Sequence, residues 1–273
     1  MSRPTPSGAA LPDLSRRLVA EALGTAALVT VVVGSGIAAQ RLSPDDVGLQ
    51  LLENSTATAF GLTVLILLFG PVSGAHFNPV VSLSDWALGR LGRRRGEQRS
   101  GLTGREVAGY ATAQTAGGVA GAGLANLMYQ VPLTELSGTV RSGGPLWLGE
   151  VVATAGLVAL VFTLARTGRG ALAAPAVGGY IGAAYWFTSS TSFANPAVTV
   201  GRVFSDTFAG IAPGSVPGFV VAQLIGAALA VALVRWLHPG IADDDSLDGV
   251  VVPHHASPAT GVDARDRPDR SPR

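Results

Sequence analysis

Cysteine and lysine are absent from this 273-residue sequence, and charge of either sign is scarce: charged residues make up 14% of the chain, roughly half the share of an ordinary soluble domain. Without thiols there is no disulfide, no thiolate nucleophile and no thiolate metal site. All 19 basic residues are Arg. Their one concentrated run, Arg90 to Arg105, has no interleaved aromatics, so the footprint of a nucleic-acid-binding surface is missing. What is present is apolar: 48% hydrophobic residues and a mean hydropathy of +0.39. These values exclude a disordered chain and argue for a membrane protein that meets the lipid bilayer along most of its length.

Six apolar stretches, about 20 residues each, are long enough to cross a hydrocarbon core of roughly 30 Å as helices. They run near Arg16–Ala38, Leu49–Gly70, Arg105–Met128, Leu146–Ala165, Ala171–Ser189 and Val216–Leu237. The first has no cleavage-site pattern and reads as a retained span. Two shorter segments, Asn78–Gly89 and Asn195–Ser205, offer about 11 residues or about 16 Å of helix each. Each is half a membrane long.

The arginines orient the spans. Arg16 and Arg17 precede the first, Arg90 to Arg105 separates the second from the third, and Arg166 with Arg169 joins the fourth to the fifth. These loops share one side, so the positive-inside tendency places both termini in the cytoplasm. Residues 1–15 and the acidic, Pro-containing tail 238–273 read as disordered cytoplasmic segments around a channel-like domain at 16–237. His254 and His255 in that tail read as solvated rather than as a metal site.

The domain is internally repeated, about 16–128 and about 146–237. Glu21-Ala-Leu-Gly-Thr25 recurs as Glu150-Val-Val-Ala-Thr154, and Ala113-Gln114-Thr-Ala-Gly117 recurs as Ala222-Gln223-Leu-Ile-Gly226. Between each pair of markers stands an Asn-Pro: Asn78-Pro79-Val80 and Asn195-Pro196-Ala197. Three spans per repeat invert the second copy, which creates a pseudo-two-fold axis in the membrane plane and a shared site near the midplane. The two half-length helices then enter from opposite faces and together make one discontinuous crossing.

Asn is a favoured N-cap and Pro suits the first helical position, so two helix starts meet at the centre. Their positive ends disfavour cations there, and the Asn78 and Asn195 amides offer N–H donors to a passing oxygen. The approaches Gly74-Ala75-His76-Phe77 and Thr191-Ser192-Phe193-Ala194 carry backbone carbonyls at membrane depth, where bare backbone is tolerated only if buried or lining a wet cavity. Donors at the centre with acceptors on both sides describe a conduit for neutral, hydroxyl-bearing solutes. Glu21, Glu150, Gln114 and Gln223 are read as supports for these loops. A proton-carrying role for the two carboxylates is the alternative that any intramembrane ionisable group raises. His76 is expected to pack neutral in its loop rather than to gate. The sequence offers no nucleophile paired with a base, no metal-ligand cluster and no cofactor loop, so neither an enzyme nor a cofactor is expected.

Ser73-Gly-Ala-His-Phe-Asn-Pro79, the second Asn195-Pro-Ala197 and the repeated Glu and Gln markers resemble the aquaporin (major intrinsic protein) family. The resemblance implies an all-α hourglass of six transmembrane helices and two re-entrant half-helices, with one pore per subunit and usually a homotetramer. It also implies a pore constriction at Asn78, Pro79, Val80, Asn195, Pro196 and Ala197. The chain departs from the family at Val80, where Ala is usual, and at Val198, where water- and glycerol-conducting relatives place an Arg. Counting from each Asn gives a four-residue filter of Thr58, Ala183, Ser192 and Val198, all small. Arg202 lies one helical turn beyond Val198, and Asp206 a further four residues on favours an ordinary ion pair over a pore-facing guanidinium.

Residues Ser192 to Thr199, followed by Ser205 to Ile211, resemble the bacterial aquaglyceroporin subgroup associated with arsenic-resistance operons. That narrower resemblance implies passage of trivalent arsenic hydroxide (arsenite) and methylated arsenicals through a cell-membrane channel. Water or glycerol conduction is the nearest alternative, and an ion-coupled secondary transporter is the rival of a different class.

Overall fold

The computed structural model describes residues 12–93, 101–133 and 135–239. The expectations for residues 1–11 and for the tail from residue 240, with His254 and His255, lie outside these residues. Among the described residues the chain is helical throughout, in the order α1 (Leu14–Leu42), α2 (Val47–Ser73), α3 (Pro79–Arg93), α4 (Gly104–Tyr129), α5 (Gly144–Arg166), α6 (Ala173–Phe187), α7 (Pro196–Gly201) and α8 (Val216–Leu237), with three short 3-10 turns. Helices α1 and α5 begin the two repeats, α3 and α7 are the half-helices, and α4 and α8 close the repeats.

Local chemistry sets the boundaries. Helix α1 starts at Leu14 rather than Arg16, because the Asp13 side chain accepts the Arg16 N–H at 2.9 Å and caps the first turn. The stretch expected to be disordered through residue 15 is therefore ordered from Asp13 onward. Helix α2 ends at Gly74, whose φ of +87° supplies the left-handed turn that starts the first loop. Helix α4 opens with a reciprocal capping box between Thr103 and Glu106.

The half-helices differ from their expected lengths in opposite directions. Helix α3 runs on to Arg93, since nothing between Gly89 and Arg93 breaks it. Helix α7 stops at Gly201 and tightens into a 3-10 turn over Arg202–Phe204. The buried Asn126 amide ends that turn by donating to the Phe204 carbonyl at 2.8 Å and accepting from the Ser205 hydroxyl at 2.8 Å.

Four segments are long and apolar enough by length and composition to cross a membrane: Leu14–Leu42, Val47–Ser73, Gly144–Arg166 and Pro213–Leu237. Helix α4 is as long but rich in Gly and Ala, and α6 is a 15-residue helix extended by a 3-10 turn at Gly170–Leu172. Outward faces are apolar where α2 presents Phe60, Val64, Leu67 and Leu68, as lipid contact requires.

The most extensive packing pairs α1 with α4 and α5 with α8, the same partnership in each repeat, while α2 meets α6 across the repeats. Small residues make the first of these contacts close. A Cβ on Gly117 would lie 2.2 Å from the Ala22 carbonyl oxygen, and one on Gly121 would lie 2.1 Å from that of Ala26. The Thr30 hydroxyl donates to the Gly121 carbonyl at 3.0 Å, across the same seam. In the second repeat Gly226 occupies the equivalent place against Val151.

Because backbone rather than a flexible side chain blocks the space, Gly121→Val is expected to destabilise the protein by about 3 kcal/mol or more, with a matching fall in thermal midpoint in detergent. Gly123→Ala in the same helix, where the nearest atom lies 4.0 Å from the added carbon, is expected to stay within about 0.5 kcal/mol of the parent.

Candidate functional site: a loop-lined central cavity

Each half-helix is preceded by a loop whose backbone is forced into an unusual shape. Ala75 and Phe77 have φ of 49° and 48°, and the equivalent Ser192 and Ala194 have φ of 51° and 49°. Left-handed geometry costs an L-residue roughly 1–2 kcal/mol, so each loop needs a compensating partner. Glu21 and Glu150 supply it. Glu21 accepts the N–H groups of His76 at 3.0 Å and Phe77 at 2.7 Å, the Ser73 hydroxyl at 2.6 Å and the Gln114 amide at 2.7 Å. Glu150 accepts the N–H groups of Phe193 and Ala194, both at 2.8 Å, and the Gln223 amide at 2.6 Å.

Both carboxylates are fully buried. Each of these bonds satisfies a loop N–H that would be costly to bury unpaired, and together they oppose the strain of Ala75 and Phe77 in the first loop and of Thr191, Ser192 and Ala194 in the second. The same side-chain amides also reach the half-helices. Gln114 donates to the Ser82 hydroxyl at 3.1 Å and Gln223 to the Thr199 hydroxyl at 3.0 Å, each four residues past its Asn.

With the loop N–H groups turned toward the carboxylates, carbonyls are left for the opposite side, and two of them tie the repeats together. The Asn78 amide donates to the Ala194 carbonyl and the Asn195 amide to the Phe77 carbonyl, both at 2.7 Å. The two side-chain oxygens cap their own half-helices: Asn78 accepts from Val80 at 3.1 Å, and Asn195 from Ala197 at 2.9 Å and Val198 at 3.2 Å. Each amide nitrogen carries two hydrogens. One makes the crossed bond, so of the donors expected at the centre only the other is available to a solute.

Around this knot runs a cavity lined by Gly74, Ala75, His76, Phe77 and Asn78 from the first loop and by Ser192, Phe193 and Asn195 from the second. Leu28 and Val32 of α1 and Leu157 and Val161 of α5, equivalent residues of the two repeats, form apolar walls. Pro79, Val80, Thr191, Ala194, Pro196 and Ala197 are not lining residues. Val80 and Ala197 are buried behind the loops, and the Ala194 carbonyl serves the crossed bond. The His76 Nδ1 lies 3.0 Å from the Ser82 hydroxyl, which ties the ring to the first turn of α3.

The four-residue filter needs one correction. Thr58, Ser192 and Val198 line the cavity, but Ala183 sits on the exposed face of α6. That helix turns Ala173, Val177, Ile181 and Tyr185 inward at four-residue spacing. A count two residues from Tyr185 rotates the side chain by about 200°, which carries it to the opposite face. Tyr185 lines the cavity instead; of the two phenols in that span, Tyr180 and Tyr185, it is the one in phase with Val177 and Ile181, which is a usable sequence signal. Its hydroxyl lies 3.2 Å from that of Thr58.

The expected Arg202–Asp206 pair is also absent. The helix has ended by Gly201, so the four-residue register is lost, and Asp206 instead accepts the Gly138 N–H at 2.9 Å. Arg202 lines the cavity.

Comparison with known proteins agrees with this architecture. Residues 9–192 match the family described as Major intrinsic protein. The chain is 52% identical over 225 residues to an aquaglyceroporin, AqpS, of Rhizobium meliloti, covering 82% of this chain and 91% of that one. It is 30% identical to a glycerol uptake facilitator protein of Pseudomonas aeruginosa, covering 85% and 91%. The solved aquaglyceroporin from Plasmodium falciparum shares the fold with a TM-score of 0.61 at 16% identity, covering 84% of this chain and 97% of that one. Inverted repeats, crossed asparagines and sequence similarity converge: this chain is a multi-pass membrane protein belonging to the major intrinsic protein family, whose members are channels and not enzymes.

Proposed function

We propose that the chain is a passive channel for small, uncharged, hydroxyl-rich solutes, with As(OH)3 and methylated arsenicals as its sharpest substrates. The observation that carries this reading is the polarity of the cavity. Its centre holds one spare N–H on each Asn, and toward one end the Ser192 hydroxyl is buried without a hydrogen-bond partner among the described residues. The walls between are aliphatic. Each spare Asn N–H needs an acceptor, and a hydroxyl-bearing solute supplies one. As(OH)3 is an uncharged triol near neutral pH and fits that description.

Val198 gives the filter no cationic donor at the position where water- and glycerol-conducting relatives place Arg, which favours solutes bulkier than water. The residues after Ser192 resemble the arsenic-operon subgroup and support the same choice. The descriptions of the two relatives support glycerol and water as the second reading, and one pore serves all three. The arginine distribution supports insertion in the cell membrane with both termini cytoplasmic. The family resemblance supports a homotetramer with one pore per subunit.

An ion-coupled transporter would need Glu21 or Glu150 to release and rebind protons. Each carboxylate instead accepts three or more hydrogen bonds that brace a strained loop, and this favours the passive reading.

Proteoliposomes carrying the protein are expected to take up arsenite at least fivefold faster than empty liposomes. Uptake at the empty-liposome rate, with glycerol flux intact, removes the metalloid assignment and leaves the glycerol reading. Val198→Arg is expected to reduce arsenite and glycerol flux more than water flux in stopped-flow measurements; equal losses for all three indicate general damage. Glu150→Gln puts an N–H donor against the Phe193 or Ala194 N–H. It is expected to cut solute flux at least tenfold with an unchanged pH profile, whereas retained downhill flux with loss of pH-driven accumulation marks a proton carrier.

A further inference from the structure

Beyond Val198 the cavity is lined by a guanidinium that does not occupy the usual filter position. Arg202 is buried and lines the cavity one helical turn beyond Val198. Its Nε donates to the Ala209 carbonyl, and its guanidinium carbon stands 3.4 Å from the centroid of the Phe193 ring, itself a lining residue. Among the described residues its two terminal nitrogens have no hydrogen-bond partner, and no carboxylate lies within salt-bridge distance of it.

A second arginine fixes this arrangement. Arg141, in the loop between the repeats, donates from Nε to the Gly210 carbonyl at 2.8 Å and from a terminal nitrogen to the Phe208 carbonyl at 3.0 Å. Three consecutive carbonyls, those of residues 208 to 210, are thus held by two guanidiniums. Arg141 also lies 5.3 Å from the Phe193 ring centroid. It is a positioning residue: it holds the segment whose middle carbonyl holds Arg202.

We propose that Arg202 is the cationic element of this channel's selectivity filter, set one turn outward from the position that Val198 leaves apolar. The assignment rests on the channel reading above. A guanidinium in a desolvated constriction repels cations strongly, because the low local dielectric screens it poorly. Its planar fork of N–H groups offers donors to a neutral oxygen at the same time. Displacing the charge outward leaves Thr58, Tyr185, Ser192 and Val198 to set the width of the constriction, while Arg202 sets its charge preference. Width and charge selection are carried by different residues.

Urea and guanidinium separate these functions, since they are planar isosteres that differ by one unit of charge. In proteoliposomes the parent is expected to pass urea and exclude guanidinium. Two neutral variants test the assignment: Arg202→Gln, which keeps an N–H for the Ala209 carbonyl, and Arg202→Met, which keeps contact with Phe193. In either, the guanidinium-to-urea permeability ratio is expected to rise at least tenfold. Arg202→Lys, which keeps the charge without the fork, is expected to stay within twofold of the parent, and adding Val198→Arg to Arg202→Gln is expected to restore exclusion. A neutral variant that conducts urea normally with a ratio within twofold of the parent overturns the proposal, as does a lysine variant as leaky as glutamine. Where the parent passes glycerol but not urea, the guanidinium ratio is taken against glycerol with the same criteria; absence of urea, glycerol and arsenite flux together is a different result and overturns the channel reading instead.

Discussion

Two crossed hydrogen bonds hold the centre of this protein together. Asn78 reaches the carbonyl before Asn195, and Asn195 reaches the carbonyl before Asn78, both at 2.7 Å. Each bond joins one inverted repeat to the other at the point where the backbone is least regular. Buried without a partner, each of these groups would cost free energy. Paired, they fix the distance between the half-helix starts and leave one N–H of each Asn for the cavity. The conduit is therefore a consequence of how the repeats are joined.

That knot depends on support from behind. The loops adopt left-handed residues at equivalent positions, and the buried carboxylates of Glu21 and Glu150 collect the N–H groups that this geometry turns away from the cavity. The support extends to the end of the first repeat: the Arg17 guanidinium pairs with Glu106 at 2.8 Å and donates to the Tyr110 hydroxyl, which donates to the Ser73 carbonyl at the start of the first loop. The close α1–α4 seam at Gly117 and Gly121 brings Gln114 within reach of Glu21. Sequence, packing and loop geometry are thus linked through a few polar side chains set in an apolar scaffold.

Much of this was legible in the sequence because the polar residues are so sparse. The six apolar stretches correspond to α1, α2, α4, α5, α6 and α8 to within a few residues, and the repeated Glu, Asn-Pro and Gln markers singled out the atoms that meet at the centre. Three features were not legible, each for a physical reason. Counting along a helix points to Ala183, but an error of two residues reverses the face, and the inward side chain is the phenol of Tyr185. Pairing Arg202 with Asp206 assumes a continuing helix, but α7 stops at Gly201 and Asn126, remote in sequence, closes the 3-10 turn that follows at Phe204 and Ser205. The crossed Asn bonds use half of the donors that sequence reasoning left free, because a contact between repeats cannot be seen from either repeat alone.

A conduit preformed by these bonds requires no large rearrangement for each solute molecule that passes, and this distinguishes the account from one in which the repeats rock against each other to expose a site alternately. The direct test is the rate of solute entry into proteoliposomes as a function of concentration and temperature. A preformed conduit gives flux that rises linearly with the gradient, without saturation, and an activation energy close to that of solute diffusion in water. Flux that saturates and depends steeply on temperature would contradict it.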